Sequence, residues 1–173
     1  MLLLKFFILV TLLVIFIQDI LHRAVYWILF PLLIFFCIGL YLISGSNFSV
    51  ILKTTTINVA FLSAQLLLVT AYFFLKTKQW VNITNNLLGW GDVLFMYATT
   101  FFLSVINFML FYISSLIIVL SIWIAYNLVA PVKNSQVPLA GFQALFLAFV
   151  LVFGWYQHIN LNSEAWLIKY IDK

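Results

Sequence analysis

The chain has 173 residues, 66% of them hydrophobic and 7% charged, with a formal net charge of +4 and a mean hydropathy of +1.22. A soluble domain carries about 25% charged residues, so there is too little polar surface here to coat a water-soluble globule. The composition reads as an all-α polytopic protein of the lipid bilayer, where helices satisfy the backbone internally. The eight Lys and Arg are scattered, so the positive balance reads as juxtamembrane anchors and not as affinity for nucleic acid. The single Cys37 rules out an intrachain disulfide and a CxxC zinc site, and no metal or cofactor is implied.

The first apolar run follows Lys5 and ends at Gln18-Asp19 with no small-x-small cleavage site. It reads as a retained span over residues 2–17. A second span covers 24–43, with Tyr26 and Trp27 as interface anchors and Pro31 inside it, tolerable if neighbours satisfy the freed carbonyl. Ser44-Gly45-Ser46-Asn47 and the polar residues Lys53 to Thr56 mark a loop. A third span over 57–75 would be about 28 Å long, matching a hydrocarbon core of about 30 Å.

A polar connection follows over 76–91, rich in Lys, Asn and Gly. The run from Asp92 to Val129 then contains neither Pro nor Gly. As one straight helix it would reach about 57 Å, nearly twice what a bilayer needs. It is expected to break at 104–107, or else at Ser114-Ser115, giving spans over 92–104 and 107–129. A loop with Pro131, Lys133 and Pro138 leads to a last span over 141–156, and residues 158–173 form an interfacial or solvated tail. About six spans in a single membrane-embedded domain result.

Only four residues are acidic: Asp19, Asp92, Glu164 and Asp172. The last two belong to the tail, whereas Asp19 and Asp92 sit at the edges of apolar spans. An ionised Asp at the centre of a membrane helix costs roughly 2.5–3.5 kcal/mol on insertion scales, so carboxylates near lipid usually face a cavity and serve a function. Two complete crossings separate Asp19 from Asp92, which places both at one membrane face. The cations divide evenly, Arg23, Lys76, Lys78 and Lys133 against Lys5, Lys53, Lys169 and Lys173. Arg23 and Lys76, nearest the helix ends, favour a cytoplasmic aspartate face.

Two neighbouring carboxylates that share one proton can hydrolyse a peptide bond, one activating water and the other polarising the carbonyl. Asp92 at a helix N-terminus is expected to be the base, and Asp19 near a C-terminus the acid, because the backbone dipole favours negative charge at the former. Gly89 and Gly91 would let an extended substrate approach the backbone closely. Plainer readings exist for each residue alone: Asp92 as a helix cap, Asp19 and Arg23 as an i,i+4 ion pair, Trp90 as an interface anchor.

Gly89-Trp90-Gly91-Asp92 resembles the Gly-x-Gly-Asp motif of intramembrane aspartyl proteases, and most closely that of the type IV prepilin peptidases and their preflagellin relatives. Asp19-Ile-Leu-His22-Arg23-Ala-Val25 is similar to that family's first-aspartate stretch. Val137-Pro138-Leu139-Ala140-Gly141-Phe142 is similar to its Pro-containing segment before the last helix. The resemblance implies catalytic aspartates at Asp19 and Asp92, with Gly89, Gly91, Arg23 and Pro138 as motif positions. It also implies no cofactor and pilin-like precursors as partners, in type IV pilus or secretion systems. Their short basic leaders would be cut at the cytoplasmic face of a bacterial or archaeal inner membrane. The chain departs from the pattern at Leu94, where members usually carry Lys. It has no room for the N-terminal domain with paired cysteines of the bifunctional members, so methyltransferase activity is not expected.

Two other readings compete. A presenilin or signal-peptide-peptidase type shares Gly-x-Gly-Asp, but its first motif is Tyr-Asp, and Gln18 precedes Asp19 here. A degenerate homologue, or a membrane scaffold or transporter subunit, would use Asp19 and Asp92 for ion pairing or proton passage.

Overall fold

A computed structural model describes residues 1–45, 47–78, 89–129, 137–164 and 166. The connection over 79–88, the loop holding Pro131 and Lys133, and the end of the chain with Lys169 and Asp172 lie outside the described residues. Those described form six helices and no strand: α1 (Leu2–His22), α2 (Leu29–Ile43), α3 (Phe48–Thr77), α4 (Trp90–Thr99), α5 (Val105–Val129) and α6 (Leu139–Tyr156). α1, α3, α5 and α6 are long and apolar enough to cross a membrane. α2, at 15 residues, and α4, at 10, are shorter than a full span.

α1 outruns the expected span by more than a turn, so Asp19 lies inside the helix. Arg23 closes it in the left-handed conformation (φ 51°), its N–H donating to the Asp19 carbonyl, a common way to end a helix. The next residues, 24–28, are not helical, and the Gln18 side chain accepts the Tyr26 N–H at 3.1 Å to hold that turn. Because α2 begins at Leu29, Pro31 sits in the first turn. Its missing N–H belongs to a set with no intrahelical partner anyway, so no carbonyl inside the span is left to satisfy.

α1 is the central helix and packs most extensively on α6, then on α2. The buried face of α1 carries Ile8, Thr11, Leu12, Ile15 and Asp19, at helical spacing. α6 answers with Ala140, Gly141, Ala144 and Ala148. Lipid tails are as apolar as leucine, so helices associate in a membrane through close van der Waals approach, and small residues permit it. The core continues into Leu33 and Cys37 of α2, Phe95 and Ala98 of α4, and Phe108 of α5.

The long run after Asp92 does break, at 100–104. Thr99 and Thr100 turn their hydroxyls back onto the Met96 and Tyr97 carbonyls, both at 2.7 Å, which competes with the helical ladder and bends it. Irregular backbone at membrane depth survives only where protein satisfies it. Here three side chains take the four consecutive carbonyls. Asn58 Nδ2 donates to Thr100 and Leu103 at 3.2 and 3.0 Å. Tyr41 Oη donates to Phe102 at 2.6 Å and Cys37 Sγ to Phe101 at 3.2 Å.

Two further expectations are corrected. Lys53 to Thr56 are helical, within α3, and no loop exists there. The Thr54 and Thr56 hydroxyls bond the Val50 and Leu52 carbonyls one turn back, which lets polar residues ride inside a helix. The described residues after α6, expected within an interfacial or solvated tail over 158–173, fold back onto the bundle as far as Glu164. His158 turns the chain back (φ 55°), and the Leu161 carbonyl accepts the Ser104 N–H at 3.0 Å and Asn107 Nδ2 at 2.7 Å. Glu164 Oε1 accepts the Ile106 N–H at the start of α5.

Candidate active site

The two aspartates arrive from different helices, Asp19 from the last turn of α1 and Asp92 from the first turn of α4. They meet on a third. Pro138 precedes α6 with φ −74° and ψ 74°, and the Leu139 N–H donates to the Val137 carbonyl at 2.9 Å. This is an inverse γ-turn, for which proline is preset. The turn aims the next two N–H groups outward. The Ala140 N–H donates to Asp92 Oδ1 at 2.7 Å, and the Gly141 N–H donates to Asp19 Oδ2 at 2.6 Å.

Every helix starts with about four N–H groups that lack an intrahelical partner. In α6 they are all accounted for: Pro138 has no N–H, Leu139 is held by the γ-turn, and Ala140 and Gly141 donate to the carboxylates, before Phe142 begins the helical ladder on the Pro138 carbonyl at 3.3 Å. Donors on consecutive residues, bonded at these lengths, keep the two accepting oxygens within roughly 8 Å of each other. Hydrogen bonds from N–H to a carboxylate are about twice as strong as neutral ones. The N-terminus of α6 also offers about half a positive charge to both groups at once.

Each aspartate sits at the expected end of its own helix, Asp92 at the start of α4 and Asp19 at the end of α1. The start of α6 adds a second field common to both carboxylates, and they differ in how many bonds they accept. Asp92 uses both oxygens, since Oδ2 also takes the Gly89 N–H at 3.1 Å. Asp19 uses Oδ2 alone and is the more deeply buried, 6% exposed.

The other expected site residues occupy distinct places. Gly89 precedes α4, its backbone N–H on Asp92, and a Cβ there would stand 3.2 Å from Asp92 Oδ2. Gly91 faces Val25, where a Cβ would make ordinary contact at 3.8 Å. Arg23 is solvent-exposed and its described role is backbone capping of α1. Leu94 is exposed on α4, and His22 is exposed too. Among the described residues no cluster of His, Cys, Asp and Glu has the grouping of a metal site.

Two contributors escaped sequence reasoning, the amides of Ala140 and Gly141. The available signal was a pair of small residues just after Pro138-Leu139, where α6 has to pass close to another helix. A Cβ at position 141 would meet Asp19 Cβ and Oδ2 at 3.0 Å. Comparison with known proteins adds no relative: no family model, curated protein or solved structure matches the chain.

Proposed function

We propose that the chain is a membrane aspartyl endopeptidase that removes short basic leaders from prepilin-like precursors at the cytoplasmic face of a prokaryotic inner membrane. The observation that carries this reading is the seating of Asp19 and Asp92 on the adjacent amides of Ala140 and Gly141. The motifs around both aspartates supply the substrate class by resemblance.

In the proposed reaction Asp92, with two N–H donors to support its ionised form, takes a proton from water as the water oxygen adds to the scissile carbonyl. Asp19 gives its proton to the carbonyl oxygen, producing a neutral gem-diol. The carbon–nitrogen bond then breaks as Asp92 passes its proton to the departing amine, and Asp19 recovers one from the diol hydroxyl. Both groups return to their starting protonation, and the carboxylates suffice for the chemistry.

The test is cleavage of a reconstituted prepilin-like precursor by wild type, Asp19→Asn and Asp92→Asn. Each substitution keeps an oxygen able to accept its α6 amide. Each is expected to cut kcat/KM by about 100- to 10,000-fold while helix content persists. The wild-type rate should fall on both sides of an acidic optimum. If both variants fold and cut normally, the catalytic assignment is wrong.

One observation favours a scaffold as the second reading: three carboxylate oxygens already serve as helix caps. On that reading the Asn variants lose thermal stability, and the wild type cleaves no precursor.

A further inference from the structure

The end of the bundle opposite the aspartates holds a second polar recess. A cavity of about 240 Å³ opens between the start of α1, the end of α2 and the turn after α6. Its lining includes Lys5, Tyr41, Trp155, His158, Asn160 and Asn162. Lys5 is half-buried, and its ammonium stands 4.9 Å over the Trp155 ring. Among the described residues no carboxylate lines this cavity. Of the described acidic residues, Asp19 and Asp92 are at the far end, and Glu164 Oε1 is on the Ile106 amide.

A lysine drawn inward along an aromatic face, with amide and imidazole groups beside it and no counter-charge among the described residues, makes a recess of positive potential. Its position in the first turn of a spanning helix is the depth of lipid headgroups. Basic recesses between membrane helices take phosphate-bearing headgroups on the cytoplasmic side of membranes, and the attraction of a cation for a phosphate is the same at either face. The volume equals that of several waters at about 30 Å³ each, enough for a phosphate with part of its hydration. Across the turn at 159–161 lies an apolar cavity of about 390 Å³ whose walls include Leu110, Phe146, Phe149 and Phe153, a surface suited to an acyl chain.

We propose that the recess around Lys5 binds a negatively charged phosphate group, carried by an anionic lipid headgroup or free in solution. The inference is independent of the peptidase reading and its test uses no cleavage assay. The purified full chain in neutral detergent is titrated with short-chain phosphatidylglycerol, with diacylglycerol of the same chains, and with inorganic phosphate, and helix melting is followed by circular dichroism. Saturable stabilisation by phosphatidylglycerol but not by diacylglycerol supports the proposal and assigns a lipid source. Saturable stabilisation by inorganic phosphate at equal concentration supports it with a free ion as source.

Lys5→Gln should raise the half-saturating concentration about 5- to 10-fold, roughly the effect of one cation near an anionic headgroup. Lys5→Arg should remain within about 2-fold of wild type. Lys53→Gln, at an exposed position on α3, should change nothing. Lys5→Met keeps the aliphatic stem and serves in place of Lys5→Gln if that variant does not fold. Equal response to diacylglycerol and phosphatidylglycerol, with none to inorganic phosphate, overturns the proposal. So does no saturable response to either phosphate probe, or an unchanged midpoint when Lys5 loses its charge.

Discussion

At Gly141 an added Cβ would stand 3.0 Å from both Cβ and Oδ2 of Asp19 and 3.3 Å from the Phe16 carbonyl. Two of those neighbours are backbone or next to it and cannot swing away, so α1 or α6 would have to shift. A displacement of about 1 Å in a catalytic group can cost about 100-fold in rate, and that is the loss in kcat/KM expected for Gly141→Ala. Gly89→Ala meets only Asp92 Oδ2 at 3.2 Å, on a backbone of ordinary φ, and should lose about 10-fold or less. Gly91→Ala meets Val25 at 3.8 Å and should be close to wild type. The rank order of these three variants in a precursor-cleavage assay checks the geometry. The aspartates themselves were legible from the scarcity of acidic residues. Gly141 was not, because its importance comes from the atom it lacks, opposite a residue 122 positions earlier.

The break between α4 and α5 shows how element boundaries are set from a distance. Length alone required an interruption in the run after Asp92, since about 57 Å of straight helix does not fit a bilayer. The position differs from the expected 104–107 because the decisive partners are remote. Asn58 on α3 and Tyr41 on α2 supply donors that local sequence does not reveal. Lys53 to Thr56 gave the converse error: three threonines after a lysine look like a loop until two hydroxyls are seen bonded one turn back. Asn58→Leu removes both bonds and leaves the Thr100 and Leu103 carbonyls unpaired. It should destabilise the fold by about 1–2 kcal/mol, measured by unfolding in mixed micelles. Asp19 and Asp92 belong to the other end of the bundle, so loss of activity should follow only as the fold is lost.

For the whole molecule, helix order puts Arg23 and Lys78 at the end that holds the aspartates, with Ser44 and Asn47 at the opposite end. The proposed cytoplasmic site then fixes a topology that labelling can read. In a Cys37→Ser background, which keeps a donor for the Phe101 carbonyl, Lys78→Cys should react with an impermeant thiol reagent only from the cytoplasmic side. Asn47→Cys should react only from the outside. The reverse pattern would move the carboxylates to the outer face and end the leader-peptidase reading, leaving the helix arrangement untouched.

The two bonds that join Asp19 and Asp92 to Ala140 and Gly141 also impose a chronology on biosynthesis. A ribosome delivers α1 to α5 before α6 exists, and during that interval neither acidic side chain has the amide it will rest on. A nascent chain halted before Leu139 would carry both proposed reacting groups and yet have no site. If the proposed peptidase reading holds, the chain is inert until its final helix inserts, and the candidate site is completed in that one step.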